Sequence, residues 1–239
     1  MPYIIKCEDV NKNYKNFSLK SISFNIESGY LTGLIGINGS GKTTLINILA
    51  GIDDDFTGKV LVNNIDIKEN PAKAKEEIGL VSEKLTFFLD KTPYENGLLL
   101  GEYFKNWDMN SFYLWLDKMN LPKGQPLYQF SKGMKMKFQI CFAMGHSPKF
   151  LLLDEPTAGF DPVFRKDFIN MLQDILNEDI GILMSTHITS DLDKIADYII
   201  LLDNGEIMIN DTKEALEDEF RRNKIERSLN KKFTISDLL

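Results

Sequence analysis

Cysteine is nearly absent. Cys7 and Cys141 are the only two in 239 residues, and their spacing matches neither a metal knuckle nor a redox pair. Two reduced thiols follow from that usage, with no disulfide framework. Histidine is as scarce, limited to His146 and His187. No apolar run approaches the roughly 20 residues that a bilayer-spanning helix needs. The opening "MPYIIKCEDVNKNY" lacks the apolar core and cleavage site of a secretory leader. The sequence therefore predicts a cytosolic chain that reaches a membrane only by docking on a partner. A basic excess is missing too: the net charge is −7, which argues against a general nucleic-acid binder. No internal repeat or low-complexity tract occurs.

What is present is ordinary globular material, 43% hydrophobic and 26% charged. The length allows one large α/β domain, or one core with an inserted subdomain. "YIIKCEDV", "SISFNIE" and "YLTGLIG" read as strands, and "GKVLVNNIDI" as a β-pair turning at Asn63 and Asn64. "LTGLIGINGSGKTTLINILAG" reads as strand, glycine loop and helix, with Gly51 as the C-cap. "EEIGLVSE" adds a short strand. From about residue 84 to 146 the pattern is helical, in "PYENGLLLGEYF", "NSFYLWLDKM" and "SKGMKMKFQICFAMG". Strands return as "FLLLDE", "GILMST" and "YIILLDN", separated by helical runs. Such alternation predicts a mostly parallel sheet covered on both faces, with the helical stretch inserted as a subdomain. Residues 1–239 are read as a single domain, and the charged tail from about 211 to 239 as a solvated helical appendage.

"GINGSGKTT" fits the G-x-x-x-x-G-K-[ST] pattern, and it sits between a strand and a helix as that chemistry requires. Gly36, Asn38, Gly39, Ser40, Gly41, Lys42, Thr43 and Thr44 are the candidate phosphate contacts. Glycines let the backbone wrap a phosphate chain with its N–H groups pointing inward. The following helix directs its partial positive end at the same anion. Lys42 is assigned to the β- and γ-phosphates, and the Thr43 hydroxyl to Mg²⁺. The expected ligand is a nucleoside triphosphate.

"FLLLDEP" is a buried strand ending in two acids, at the edge where open α/β sheets bind ligands. Asp154 suits Mg²⁺, through water. Glu155 suits the attacking water, as its general base or its orienter. An acidic strand end facing solvent is the bland alternative. Asp followed directly by Glu favours hydrolysis over transfer to a second substrate. His187 follows the apolar strand of "GILMSTHIT"; it reads either as structural or as a sensor of the γ-phosphate.

"FSKGMKMKF" is harder. Lys132, Lys135 and Lys137 lie in the first turns of a helix, where each exposed cation opposes the dipole by about 0.3–1 kcal/mol. It is a patch for a polyanion, a solvated helix face, or half of a nucleotide site. A phosphate at this helix start would reverse the penalty, with Ser131 offering a hydroxyl and Gly133 a close backbone approach.

Taken in order, "GINGSGKTT", "FSKGM", "FLLLDEPTAGFDP" and "STH" resemble the Walker A, signature, Walker B with D-loop, and switch-histidine motifs of ABC-transporter ATPase subunits. The resemblance spans about residues 3–210. It implies an ABC ATPase fold: a P-loop NTPase core, an N-terminal antiparallel β subdomain and the inserted helical subdomain. It also implies ATP and Mg²⁺ as cofactors, and a second ATPase subunit, identical or different, paired head to tail. Ser131 and Gly133 then contact the γ-phosphate held by the partner, Asp161 couples the two sites, and Tyr14 matches the aromatic that stacks on adenine. His187 and Lys42 join Glu155 as the catalytic groups. A separate transmembrane permease is implied, placing the chain on the cytoplasmic side of the membrane with no nucleic-acid partner. Two departures stand out. The usual L-S-G-G-Q signature carries Phe130, Lys132 and Met134 at its first, third and fifth positions, and Glu83 replaces the usual glutamine as a metal ligand. That glutamate resembles the pattern in ATPases of antimicrobial-peptide export and immunity, so the implied work is export of such peptides, drugs or other amphipathic compounds. Two other readings are a non-transport ABC ATPase of DNA repair or ribosomes, and a small-molecule kinase or GTPase. The chain shows no long coiled coil or tandem cassette for the first. For the second, its "NKNY" lies ahead of the phosphate loop, out of place as a guanine-reading motif.

Aromatics including Phe87, Phe88, Trp107, Phe112 and Trp115 crowd residues 87–115. They are expected to pack the helical subdomain, with a minority lining a groove for a helix of the membrane subunit.

Overall fold

The computed structural model describes residues 3–82, 84, 87–227 and 233–238. Strands β3 (Leu31–Ile35), β7 (Phe150–Asp154) and β8 (Gly181–Thr186) are apolar almost throughout and buried, as parallel strands covered on both faces must be. They form the centre of a six-stranded sheet ordered β10-β9-β3-β8-β7-β6, completed by β6 (Ile78–Val81), β9 (Tyr198–Asp203) and β10 (Glu206–Thr212). All pairings are parallel except that of β10 with β9.

A second sheet is antiparallel, in the order β2-β1-β4-β5. It comprises β1 (Ile4–Asn13), β2 (Ser18–Glu27), β4 (Thr57–Val62) and β5 (Ile65–Asp66). β2 alternates buried and exposed residues over Ile22–Ile26, the pattern of a sheet with one wet face. Asn63 and Asn64 both adopt positive φ in the tight β4–β5 turn, which asparagine tolerates better than most residues.

Helix α1 (Lys42–Leu49) fills the space between the sheets. Leu45, Ile46, Ile48 and Leu49 share one apolar cluster with Ile5, Ile22 and Ile26 of the antiparallel sheet and with Leu34, Leu152 and Leu183 of the parallel one. Alternate residues of the same strands, Leu151, Leu153, Ile182 and Met184, point the other way. There they meet α5 (Lys132–Met144) and α6 (Pro162–Leu176).

The helical insertion holds α3 (Pro93–Gly101), α4 (Met109–Lys118) and α5. Thr92 and Glu95 form a reciprocal capping box at the start of α3. The aromatics knit it together: the Phe142 ring lies 4.8 Å from Phe87, 4.7 Å from Trp107 and 5.9 Å from Phe104. Gly145 makes room, since a Cβ there would sit 2.5 Å from the indole. Phe88, Tyr94 and Tyr103 stay exposed. Both thiols are free and buried, and burial pushes that of Cys7 up to about 12 and raises that of Cys141.

The structure adds two elements, α2 and β10, to the expected set. α2 (Pro71–Glu76) begins at a proline placed at its first turn, a start signal present in "NPAKAKEE". β10 forms a hairpin with β9. The helical run expected over "ITSDLDKIA" is present but shorter, one turn, α7 (Thr189–Leu192).

The tail corrects an expectation. α8 (Lys213–Arg227) buries Leu216, and Phe220 packs on Phe233 at 5.3 Å. Ile235 is fully buried, and its N–H donates to Asp193 Oδ1 just beyond α7 at 2.8 Å. Lys213 Nζ donates to the Asp193 carbonyl oxygen. A charged surface around a few well-spaced apolar residues hid this docking. Ile235→Ala is expected to cost about 2–5 kcal/mol in equilibrium urea unfolding, as a fully buried isoleucine does; a solvated appendage would lose almost nothing.

Candidate functional site

The loop between β3 and α1 is shaped by glycine. Gly39 and Gly41 take φ of 86° and 113°, where a side chain is strained. At Gly36 a Cβ would meet the Leu202 carbonyl oxygen at 2.2 Å. No side chain caps the first turn of α1, so its N–H groups remain available to an anion. Lys42 is buried, and its ammonium donates to the carbonyl oxygens of Gly36 at 2.8 Å and Ile37 at 3.1 Å. Ser40 Oγ is buried without a hydrogen-bond partner.

A cleft of about 550 Å³ opens here. Asn38, Gly39, Gly41, Lys42, Thr43, Thr44, Glu155 and His187 line it, together with Phe17 and Ala158. Eight residues picked out in the sequence are thus brought to one cavity. Gly36 and Ser40 belong to the same loop but lie outside its lining.

The two acids are keyed to one hydroxyl. Ser185, directly opposite Asp154 in the β7–β8 ladder, donates to Asp154 Oδ1 at 2.7 Å and accepts from the Glu155 N–H at 3.0 Å. Glu155 adopts φ of 48°, rare for a non-glycine residue. That turn swings its carboxylate into the cleft. Oε2 meets His187 Nδ1 at 2.7 Å, and Oε1 lies 3.6 Å from Lys42 Nζ.

Four other candidates lie apart from this cleft. Ser131 is the N-cap of α5, accepting from the Met134 N–H at 3.2 Å. Asp161 caps α6 in the same way, its Oδ1 accepting from the N–H groups of Val163 and Phe164, each at 3.0 Å. Gly133 is buried where a Cβ would strike the Phe164 ring at 2.4 Å, so packing against α6 already demands a glycine. Lys137 extends over the same ring, 4.9 Å from its centroid. Tyr14 is half-exposed and outside the cleft lining, with its hydroxyl donating to Asp53 Oδ2 at 3.1 Å. Glu83 falls outside the described residues.

Sequence reasoning passed over several participants. Ser185 lay inside the quoted "STH" run, but only the fold shows that it faces both acids. Phe17 stands three residues after Tyr14, and nothing local marks it. Thr157 Oγ1 donates at 2.7 Å to Asp191 Oδ2, whose other oxygen lies 3.8 Å from Arg165 Nε. Burial raises the Asp191 carboxyl, and the Thr157 hydrogen bond and the Arg165 charge only partly oppose this. The knot ties α7, just after His187, to the segment leading to Asp161.

A second, more apolar groove of about 600 Å³ lies between the core and the helical insertion. Ile52, Phe87, Leu100, Tyr103, Phe104 and Phe142 supply much of its wall, and Ser82 and Lys84 flank the Glu83 position. His146 closes its floor, stacked on Phe104 at 4.2 Å; burial lowers its pKa.

Comparison with known proteins supplies the frame. A family profile described as ABC transporter matches residues 19–158. The linearmycin resistance ATP-binding protein LnrL of Bacillus subtilis is 30% identical over 222 residues, covering 89% of this chain and 70% of that protein. The lantibiotic transport ATP-binding protein SrtF of Streptococcus pyogenes is 30% identical over 223 residues, covering 91% of this chain and 96% of the relative. The structure of cbiO1 from Clostridium perfringens, part of the ABC transporter complex cbiONQ, superposes with a TM-score of 0.77 at 27% identity, covering 94% of this chain and 95% of that one. A glycine loop, a carboxylate pair and a histidine meet in one cleft on the fold these relatives share, and the chain belongs to the ABC transporter family.

Proposed function

We propose that this chain is the ATP-binding and ATP-hydrolysing subunit of an export transporter, working with a second ATPase subunit and a separate membrane permease. The observation that carries the reading is the meeting of Lys42, Glu155 and His187 at the mouth of the glycine loop. An anion entering there gains the uncapped first turn of α1 and the Lys42 ammonium. Lys42 then exchanges the loop carbonyls and the Glu155 carboxylate for phosphate oxygens. Glu155, released from that charge, accepts the proton of the attacking water, and His187 keeps its carboxylate aimed. A carboxylate alone at this point favours water as the acceptor.

The Thr43 hydroxyl and the Asp154 carboxylate fit Mg²⁺. Asp154 spends one oxygen on Ser185, and the described residues contain no cluster of three or more metal-binding side chains. That matches an ion held by one or two protein oxygens plus the phosphates. When bound, Mg²⁺ neutralises charge on the β- and γ-phosphates. Glu83 is assigned as a further ligand from its sequence position.

Ser131, Gly133 and Asp161 do not line the cleft, so they complete a site only from a second subunit. Ser131 at the start of a lysine-rich helix with no acid in its first turn is suited to a phosphate presented from outside. Head-to-tail pairing would present it. The apolar groove beside the helical insertion fits a short helix of a permease. Among the described residues no helix is long and apolar enough to cross a membrane, which is consistent with work at its cytoplasmic face through such a partner. The names of LnrL and SrtF support resistance or lantibiotic-type export over a role in DNA repair or on ribosomes.

Glu155→Gln is expected to bind ATP and dimerise while steady-state hydrolysis falls by about 100-fold or more; unchanged turnover would remove Glu155 from its role. Ser185→Ala is expected to lower kcat about 10–100-fold by loosening both acids, with ATP affinity in titration calorimetry little changed. Specific activity should rise with protein concentration, and Ser131→Arg should abolish that rise. A dilute monomer turning over at full rate with the arginine in place would contradict composite sites.

A further inference from the structure

Resting on the hydrolytic reading of the cleft, we propose that Asp191, acting through Thr157, is a positioning residue that sets how Glu155 and His187 meet.

Glu155 and His187 leave the sheet from the ends of neighbouring strands, β7 and β8, and their side chains meet at 2.7 Å outside it. The His187 side chain is half-exposed, and a charged contact open to water is a weak restraint by itself. The two segments are joined a second time, behind the pair. Thr157, two residues after Glu155, is fully buried and donates its hydroxyl to Asp191 Oδ2 at 2.7 Å. Asp191 stands four residues after His187, in α7, and is almost wholly buried. A closed ring results, from Glu155 to Thr157, across to Asp191, back to His187 and across to Glu155.

Both sides of that ring are stiff. On one, the carbonyl oxygens of Glu155 and Thr157 accept from the N–H groups of Ala158 at 3.2 Å and Phe160 at 3.1 Å. On the other, the Ile188 N–H donates to Thr186 Oγ1 at 2.9 Å, and the Asp191 N–H to the Ile188 carbonyl oxygen at 3.2 Å. Leu192 seats α7 on β3, where a Cβ on Gly33 would meet its Cδ1 at 2.6 Å. With stiff sides, the length of the Thr157–Asp191 bond is passed on to the Glu155–His187 contact. Apolar side chains could fill this space without the cost of burying a carboxylate. Their contacts are non-directional, whereas an O–H···O bond fixes a length and an angle. Arg165 supplies the compensating charge, its Nε 3.8 Å from Asp191 Oδ1. Its Nη2 donates to the Phe160 carbonyl oxygen at 3.2 Å, which extends the restraint to the residue before Asp161.

The chain has only two histidines, so histidine-selective 15N labelling of the full chain, without nucleotide, reads the pair directly. His146, stacked on Phe104 away from the cleft, is the internal control for folding. Thr157→Val, which replaces the hydroxyl by a methyl, and Asp191→Ala are each expected to move the His187 Nδ1 resonance toward its position in a Glu155→Ala chain. The His146 resonance should stay in place. Both variants should lower kcat about 10-fold or more, with ATP affinity in titration calorimetry within about twofold. Thr157→Ser keeps the hydroxyl and should restore both the resonance and kcat. An unmoved His187 resonance in both variants overturns the proposal, whatever happens to kcat. So does movement of His146 along with His187 in both, because the knot then serves the fold at large. Absence of ATP hydrolysis by the unaltered chain would overturn the hydrolytic reading, and this inference with it. That failure is distinguishable, because a mispositioned pair lowers turnover only in the variants.

Discussion

Everything at the cleft follows from the position of one strand. β8 lies between β3 and β7, with Thr186 opposite Ile35 on one side and Ser185 opposite Asp154 on the other. Parallel pairing puts the carboxyl ends of all three strands at the same edge, where the glycine loop, the two acids and His187 leave the sheet together. The apolar runs of the strands settle the matter energetically. Both faces of β7 and β8 are buried, so slipping the pairing by one residue would exchange the sets facing α1 and α5 and leave Ser185 out of step with the acids. A positive φ at Glu155, costing of order 1–3 kcal/mol in isolation, is tolerated while the hydroxyl of Ser185 holds the Glu155 N–H and the preceding Asp154 carboxylate.

Much of this was readable in the residues themselves. The strand–loop–helix around "GINGSGKTT" and the acids closing "FLLLDE" are local patterns, because phosphate wrapping and strand-end carboxylates are demands made on consecutive residues. Ser185, Asp191 and Phe17 are different. Each acts through a partner between 24 and 34 positions away, and its contribution exists only once β8 has paired or β2 has folded over α1. The buried end of the tail was hidden for another reason. Phe233 and Ile235 sit in a strongly charged stretch, and only their contacts with Phe220 and Asp193 show that the stretch has an inside. α2 was legible after all, from the proline at its start.

The lysine-rich helix α5 resolves into two layers. Gly133 is required by the ring of Phe164, and the hydroxyl of Ser131 has a role in capping its own helix. Those intramolecular duties explain the residues without any ligand. They are also compatible with a phosphate arriving from a second subunit, because a cap that satisfies one N–H leaves other donors of the first turn open. Asp161 presents the same duality at the start of α6. Packing and proposed chemistry thus draw on the same few positions.

The aromatic knot of the helical insertion carries a practical consequence for spectroscopy. The chain has two tryptophans, Trp107 and Trp115, and both lie in that insertion. Trp107 is wedged among Phe112 and Phe142, and Trp115 is almost wholly buried with Lys118 above its ring. Tryptophan emission therefore watches the insertion alone. Any change in it on adding nucleotide would be an optical signal that the cleft and the groove-bearing subdomain move as coupled bodies.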